Sequence, residues 1–272
     1  MGEAILAYYK NDVGAGDMTA SAVLPPTQIT AIIKAEGDGV LSGMLEARFL
    51  LGRLGIKVKS AKDDGSAIGK GCTVLRMEGR ARKILSAERT LLNFLTRLSG
   101  IATETRRLSR KSKARIAATR KTCLNFSDKR AVQLGGGMAH RLGLFGMILI
   151  KDNHIDVVAA ELGCSRVSAI GECLKRARRK SKGRQIEIEV RSIPEALAAA
   201  RGKPDIIMLD GMGVSQTRRA ARLLKRSGIL LEASGGIKEG NISAYGNSGA
   251  DFVSLGALTN ACKPLDMSLE VV

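Results

Sequence analysis

The chain has 272 residues, 44% of them apolar, enough to fill the core of two domains or of one barrel with an appendage. No apolar run approaches the roughly 20 residues of a membrane span, and the first ten residues lack the basic-then-apolar layout of a signal peptide. A cytoplasmic protein with no membrane partner is expected. Lys and Arg outnumber Asp and Glu by 44 to 26, a net +18 that attracts anions of any size, from nucleic acid to a small polyanionic substrate. Five cysteines without a C-x-x-C pair argue against a disulfide framework or a zinc ribbon and predict buried free thiols.

In chain order, the first part reads as strands punctuated by glycine at 29–35, 39–42, 56–60 and 72–78, with a helix at 44–54. A long helical pattern at 84–108 comes next. From about residue 108 short apolar runs at 116–119, 147–150, 186–190, 206–209, 229–231 and 252–255 alternate with amphipathic stretches such as 167–180, 193–201 and 215–227. The reading is α/β: an N-terminal α/β sandwich domain over 1–105, with the tail 262–272 available to pack on it, and a C-terminal incomplete α/β barrel of parallel strands over 106–261. Six strands fall short of the usual eight.

The residues just past each strand carry the chemistry, because the C-terminal ends of parallel strands converge on one face where ligands bind. Thr119 leads into Arg120-Lys121, Ile150 into Lys151-Asp152-Asn153-His154, Leu209 into Asp210, Leu231 into Glu232-Ala233-Ser234-Gly235-Gly236, and Leu255 into Gly256. Glycine turns on the last two strands suit a phosphate, since backbone N–H groups can approach it closely. Arg120, Lys121, His140, Arg141 and Lys151 converge as cations. A Lys terminating a buried strand loses hydration, so it needs an anion nearby. Glu189 and Asp210 end neighbouring strands and suggest acid/base work, glycosidic chemistry or magnesium binding, or more simply an ion pair with Lys151 or Arg120.

Blander alternatives stand beside these. Each charge run, such as Arg178-Arg179-Lys180, reads by itself as a solvated helix face. His140, His154 and Asp152 could imitate a metal site, but catalytic zinc takes three ligands at recognisable spacings, and a hydrogen-bonding His beside Arg141 suits a carboxylate better. His154 then serves to hold its loop.

The strings Glu88-Arg89-Thr90-Leu91-Leu92-Asn93, Leu98-Ser99-Gly100-Ile101-Ala102-Thr103, Thr119-Arg120-Lys121-Thr122, Gly135-Gly136-Gly137 with His140-Arg141, Leu149-Ile150-Lys151-Asp152-Asn153-His154 and Glu232-Ala233-Ser234-Gly235-Gly236-Ile237 resemble the quinolinate phosphoribosyltransferase family. The resemblance runs from Gly16-Asp17-Met18-Thr19 to Pro264-Leu265-Asp266. It implies transfer of phosphoribosyl from 5-phosphoribosyl 1-pyrophosphate to quinolinate with decarboxylation, giving nicotinate mononucleotide, pyrophosphate and CO2 for NAD synthesis. It further implies Mg2+ with the pyrophosphate substrate, no organic cofactor, and a homodimer or higher homo-oligomer whose active site lies at the subunit interface.

By resemblance, Arg120, Lys121, His140, Arg141 and Lys151 hold the two carboxylates of quinolinate, with Arg89 reaching in from a partner subunit. Glu189 and Asp210 address the ribose and, directly or indirectly, magnesium; with Lys151 they form the catalytic set. Ser234, Gly235, Gly236 and Gly256 bind the 5′-phosphate. Three departures are present. Cys123-Leu124-Asn125-Phe126-Ser127 replaces the family's Thr-Pro-Gly-Leu-Arg in a shorter segment, Ala139 stands where the family has Asn, and so does Gly211. The alternatives are a sibling phosphoribosyltransferase using nicotinate or another acid, or a basic nucleic-acid-binding protein. No helix-turn-helix or aromatic RNA-binding motif supports the last, so no nucleic-acid partner is expected.

Overall fold

The computed structural model describes residues 2–272. In chain order the elements begin with α1 (Gly2–Val13), α2 (Met18–Val23), β1 (Gln28–Ala35), β2 (Gly39–Val40), α3 (Met44–Leu54), β3 (Lys57–Ala61), β4 (Ala67–Ile68), β5 (Thr73–Arg80) and α4 (Ala81–Ser109). They continue with β6 (Arg115–Ala118), α5 (Asn125–Leu134), β7 (Ile148–Ile150), α6 (Asp152–Leu162), α7 (Arg166–Lys180), β8 (Ile186–Val190), α8 (Ile193–Arg201) and β9 (Ile206–Asp210). Last come α9 (Val214–Leu224), β10 (Leu230–Ser234), α10 (Ile242–Gly246), β11 (Phe252–Leu255), α11 (Ala257–Asn260) and β12 (Met267–Val271). Contacts divide the chain into two units, one holding the residues up to Arg106 with Thr122–Gly136 and Leu258–Val272, the other Arg107–Lys121 with Gly137–Ala257.

The first unit is built on an antiparallel sheet in the order β12-β1-β5-β3. The tail pairs with β1 from Ala31↔Val271 to Ala35↔Met267, so the last strand of the chain completes the first sheet. Ile84, Ala87, Leu91, Leu95, Leu98 and Ala102 are buried along α4 at spacings of three and four, a single apolar stripe. Several motif residues turn out to hold this unit together. Asp17 caps α2 through Ala20 N at 2.8 Å and also accepts from Ser86 Oγ at 2.8 Å. Ser99 Oγ accepts from Ser42 N at 2.9 Å, and a Cβ on Gly100 would collide with the backbone of Lys263.

Residues 122–136, assigned from sequence to the barrel domain, cluster with the first unit. Asp128 explains this: its carboxylate takes Arg97 Nη2 at 2.7 Å and Leu124 N at 3.3 Å and also meets Thr122 Oγ1. Ser127 Oγ donates to the buried Glu46 at 2.7 Å, and Arg130 pairs with Asp64 at 2.7 Å. The shortened, non-family loop is therefore tied down by its own polar contacts.

The second unit carries six parallel strands in the order β6-β11-β10-β9-β8-β7. Consecutive strands β7 to β11 lie side by side, and β11 turns back on β6 with Phe252 opposite Arg115. On the far side of β6 a single parallel bridge joins Ala117 to Met138, while β7 has β8 as its one neighbour. The result is a barrel left open between Met138 and β7, as the strand count predicted. Ile186, Ile188, Val190, Ile207 and Leu209 pack under helices α6 to α9. Met147, Ile206 and Phe252, with Leu230 against them, fill the lower interior.

Among the thiols only Cys173 is buried; Cys123 is exposed and the other three are intermediate, so burial is not their common feature. All five are free. No helix of the described residues is long and apolar enough to cross a membrane.

Candidate active site

Side chains alternate along a strand, so with Ile186, Ile188 and Val190 turned to the helices, Glu187 and Glu189 of β8 must face the barrel interior. The same alternation turns Met208 and Asp210 of β9, Glu232 and Ser234 of β10, and Ser254 of β11 inward. In register, Met208 lies opposite both Glu189 and Glu232, and Asp210 opposite Ser234. All of these but Glu187 line a cavity of about 440 Å3 at the C-terminal end of the strands. Arg120, Lys121, His140, Arg141 and Lys151 line it together with Glu189, Asp210 and Ser234. A second hollow of about 760 Å3 shares Arg120, Arg141, Leu149 and Lys151, and is bordered by Leu144 and Phe145.

Lys151 corrects one expectation. Its side chain is 46% exposed, so it is not a desolvated strand-end lysine; its Nζ reaches Glu189 Oε2 at 3.3 Å. Glu189 is the buried partner, 8% exposed, and burial pushes its carboxyl up from the usual range while Lys151 opposes the shift and Asp210 adds to it. Arg141 is 7% exposed. Burial and the neighbouring Arg120 both pull its guanidinium below its ordinary value, while Glu187 pulls the other way. Two crowded cations are relieved by an anion placed between them.

His140 is more deeply engaged than its sequence position suggested. Its backbone sits at φ 53, and its Nε2 lies 3.0 Å from Glu232 Oε2 and 3.1 Å from Glu187 Oε2. One N–H can donate to one acceptor; Glu232 has the hydrogen-bond geometry and Glu187 faces the ring by charge. Burial alone would lower the imidazole, but the two carboxylates raise it to about 10. Burial pushes Glu187 up to about 7, against the pull of His140. The three groups lie within 4.8 Å of one another and could hold a metal ion, yet an imidazolium already supplies the positive charge between the carboxylates. With Nε2 committed, only Nδ1 of His140 remains to meet a ligand. His154 has no part in this cluster: its Nδ1 accepts from Lys151 N at 2.8 Å at the start of α6.

The turns after β9 and β10 touch backbone to backbone. Gly211 N donates to Ser234 O at 2.9 Å. Gly235 has φ 85, and a Cβ there would stand 2.6 Å from Gly211 N and 3.0 Å from Asp210 Oδ1, so conformation and space both require glycine. Gly236 comes next at φ 66, and Gly256 succeeds β11 at the same end of the sheet. Asp210, Ser234 and the glycine turns thus form one continuous rim. Arg89 lies on α4, in the first unit.

Sequence reasoning missed Glu187, Glu232 and Ser254. The signal for Glu187 is present in Ile186-Glu187-Ile188-Glu189-Val190, where alternation puts both acids on one face. The sequence pattern places Glu232 just past its strand, but β10 runs on to Ser234, which turns Glu232 inward.

The N-terminal domain model of quinolinate phosphoribosyl transferase matches residues 17–99 and the C-terminal domain model matches 101–270. A probable nicotinate-nucleotide pyrophosphorylase (carboxylating) of Methanothermobacter thermautotrophicus is 38% identical, with 96% of this chain and 95% of that protein aligned. The similarly named protein of Bacillus subtilis is 36% identical over 97% of this chain and 91% of its own length. Among solved structures, nicotinate-nucleotide pyrophosphorylase from Ehrlichia chaffeensis superposes with a TM-score of 0.90 at 30% identity, covering 100% of this chain and 98% of that one. Both domain models, relatives aligned nearly end to end, and a shared fold agree that this chain belongs to the quinolinate phosphoribosyltransferase family.

Proposed function

We propose that the chain transfers phosphoribosyl from 5-phosphoribosyl 1-pyrophosphate to quinolinate, releasing pyrophosphate and CO2 and leaving nicotinate mononucleotide. The observation that carries this reading is the cavity in which Arg120, Lys121, His140, Arg141 and Lys151 meet Glu189 and Asp210 beside the glycine rim. The cations suit a substrate with two carboxylates, and bidentate Arg geometry suits carboxylate in particular. Gly235, Gly236 and Gly256, with Ser234, suit the 5′-phosphate.

As pyrophosphate leaves, positive charge develops at the anomeric carbon. Glu189 and Asp210, on adjacent strands and facing the same space, stabilise that charge as it forms. The pyridine nitrogen then bonds to the anomeric carbon and becomes cationic. The bond to the adjacent carboxylate breaks, its electron pair stays on the ring carbon beside the cationic nitrogen, and a proton replaces the CO2. Lys151 and Arg141 bind and orient the dianion through these steps. Glu189 and Asp210 are hard oxygen donors and fit Mg2+ carried by the pyrophosphate substrate, directly or through water. Bound there, Mg2+ offsets the charge of the leaving group.

A homodimer completes the reading. Leu144 and Phe145 are 72% and 66% exposed beside the second hollow, an apolar rim suited to a second copy that brings Arg89 toward the cations. The test is turnover with 5-phosphoribosyl 1-pyrophosphate and Mg2+, offering quinolinate and nicotinate in parallel. Quinolinate-dependent nucleotide with equal CO2 is expected; nucleotide from nicotinate alone would overturn the substrate assignment.

A further inference from the structure

The end of the parallel sheet opposite the cavity, formed by the segments that lead into the strands, gathers most of the chain's excess charge. Hydrogen bonds hold these segments level: Arg115 N donates to Asp251 O, Leu230 N to Asp205 O, and Ile148 N to Gln185 O. Residues 110–115 carry four Lys and Arg, residues 178–184 five, and residues 201–205 and 225–228 two each. That is thirteen cations at one foot of the barrel, eleven net of Asp205 and Asp251, in a chain whose net charge is +18, and two of them, Lys180 and Arg184, also line the second hollow. The acids there, Asp205 and Asp251, are exposed and accept the backbone N–H groups of Ile186 and Leu231 at 2.7 Å.

Few of these cations are paired. On the helix flanks, Arg166 meets Asp156 and Glu195, and Arg176 meets Glu161 and Glu172. At the foot, Lys111 meets Glu239 at 2.5 Å, but among the described residues no carboxylate lies within ion-pair distance of Lys113, Arg179, Lys182, Lys225 or Arg226. Helix dipoles account for only part of it. They favour cations within the last turn, whereas Lys182, Lys203 and Arg226 lie past the ends of α7, α8 and α9.

We propose that this foot is a docking surface for the phosphate backbone of double-helical nucleic acid, bound without reading its bases. From β6 to β8 the sheet covers four strand spacings, on the order of 15–20 Å, enough to meet about five phosphates. The chain has no Trp, its Tyr residues, Tyr8, Tyr9 and Tyr245, lie in α1 and α10, and the exposed Phe145 stands on the side of the second hollow, where Lys180 and Arg184 reach the mouth, so the rest of the foot offers no aromatic platform for unpaired bases. Its segments also expose no large apolar side chain that could anchor in a bilayer. The sequence-based expectation of no nucleic-acid partner rests on missing motifs, and binding to the backbone alone requires none.

The experiment is fluorescence anisotropy of the full chain against labelled duplexes of about 20 base pairs in DNA and RNA form, a single strand of the same length, and phosphatidylserine vesicles. Duplex binding should weaken by roughly several hundredfold between about 50 and about 200 mM salt, the slope for about five neutralised phosphates. The combined Arg179→Glu, Lys182→Glu and Arg226→Glu protein should lose at least about tenfold in duplex affinity at low salt while quinolinate turnover, the readout of correct folding, is unchanged. A control with equal net charge carries Lys10→Glu, Lys57→Glu and Lys62→Glu and should bind duplex nearly as the parent does. Equal losses in both proteins, tighter binding to the single strand, or foot-dependent binding to vesicles without duplex binding would each overturn the proposal.

Discussion

The two ends of the parallel sheet use the same residue types in opposite ways. At the mouth, Lys151 lies 3.3 Å from Glu189 and His140 lies 3.0 Å from Glu232, so these two cations are matched, while Arg120 and Arg141 crowd each other beside them. At the foot, cations of the same kind stand in solvent, outnumbering the nearby acids: Glu239 takes Lys111, and Asp205 and Asp251 accept backbone N–H groups. Matching a buried charge makes each partner hard to remove, while an exposed, unmatched charge contributes little to the fold and keeps its whole field for a ligand. Substitutions should therefore be costly at one end and cheap at the other.

The largest effect is expected inside the barrel. Glu232→Ala or Glu187→Ala leaves a buried imidazolium short of a partner and should lower unfolding free energy by about 3–5 kcal/mol in urea titration. A loss below about 1 kcal/mol would mean that the cluster is hydrated and the contrast between the two ends is weaker than drawn. Next come Glu189→Ala and Asp210→Ala, for which kcat should fall by about 100- to 1,000-fold with KM for quinolinate nearly constant. A rise in KM at constant kcat would move both residues from the reacting centre to binding.

Gly235→Ala forces a Cβ to 2.6 Å from Gly211 N at a positive φ and should cost about 1–3 kcal/mol, with KM for the phosphoribosyl donor raised. Unchanged kinetics would separate the β9–β10 turn from phosphate binding. With only two histidines, 15N NMR can follow His140 directly. Raised from 6.5 to about 10, it should stay protonated across pH 6 to 8, and its stabilising contribution, complete below 6.5, should fade only as pH climbs toward about 10. Titration near 6.5 would show that the carboxylates do not hold its proton. The smallest effect belongs to the foot: Lys113→Ala or Lys182→Ala should change stability by less than about 0.5 kcal/mol.

Much of the second unit is legible directly. The strands at 186–190 and 252–255 and the helix at 193–201 coincide with the structure, because period-2 and period-3.6 patterns are local properties of a buried face. Helices α5 and α6 are not. The former comes after a loop whose conformation depends on Asp128 meeting Arg97, 31 residues away, and the latter begins directly where β7 stops. The candidate cations and acids at the strand ends gather around one cavity, apart from Arg89, which no intrachain pattern could place. Alternation gives the facing of Glu187, but the role of Glu187 and Glu232 comes from His140, which reaches them from a segment 47 and 92 positions away.

Alternation along strands, glycine at turns and the order of motifs are written residue by residue, and from them the sequence alone determined the fold class, the family resemblance and the end of the sheet where the candidate site residues gather. Which charges meet is a property of three-dimensional distance. Only the tertiary structure decided that His140 is clamped between two buried carboxylates, that the tail joins the first sheet as a strand beside β1, and that basic runs scattered along the chain gather at one end of the parallel sheet.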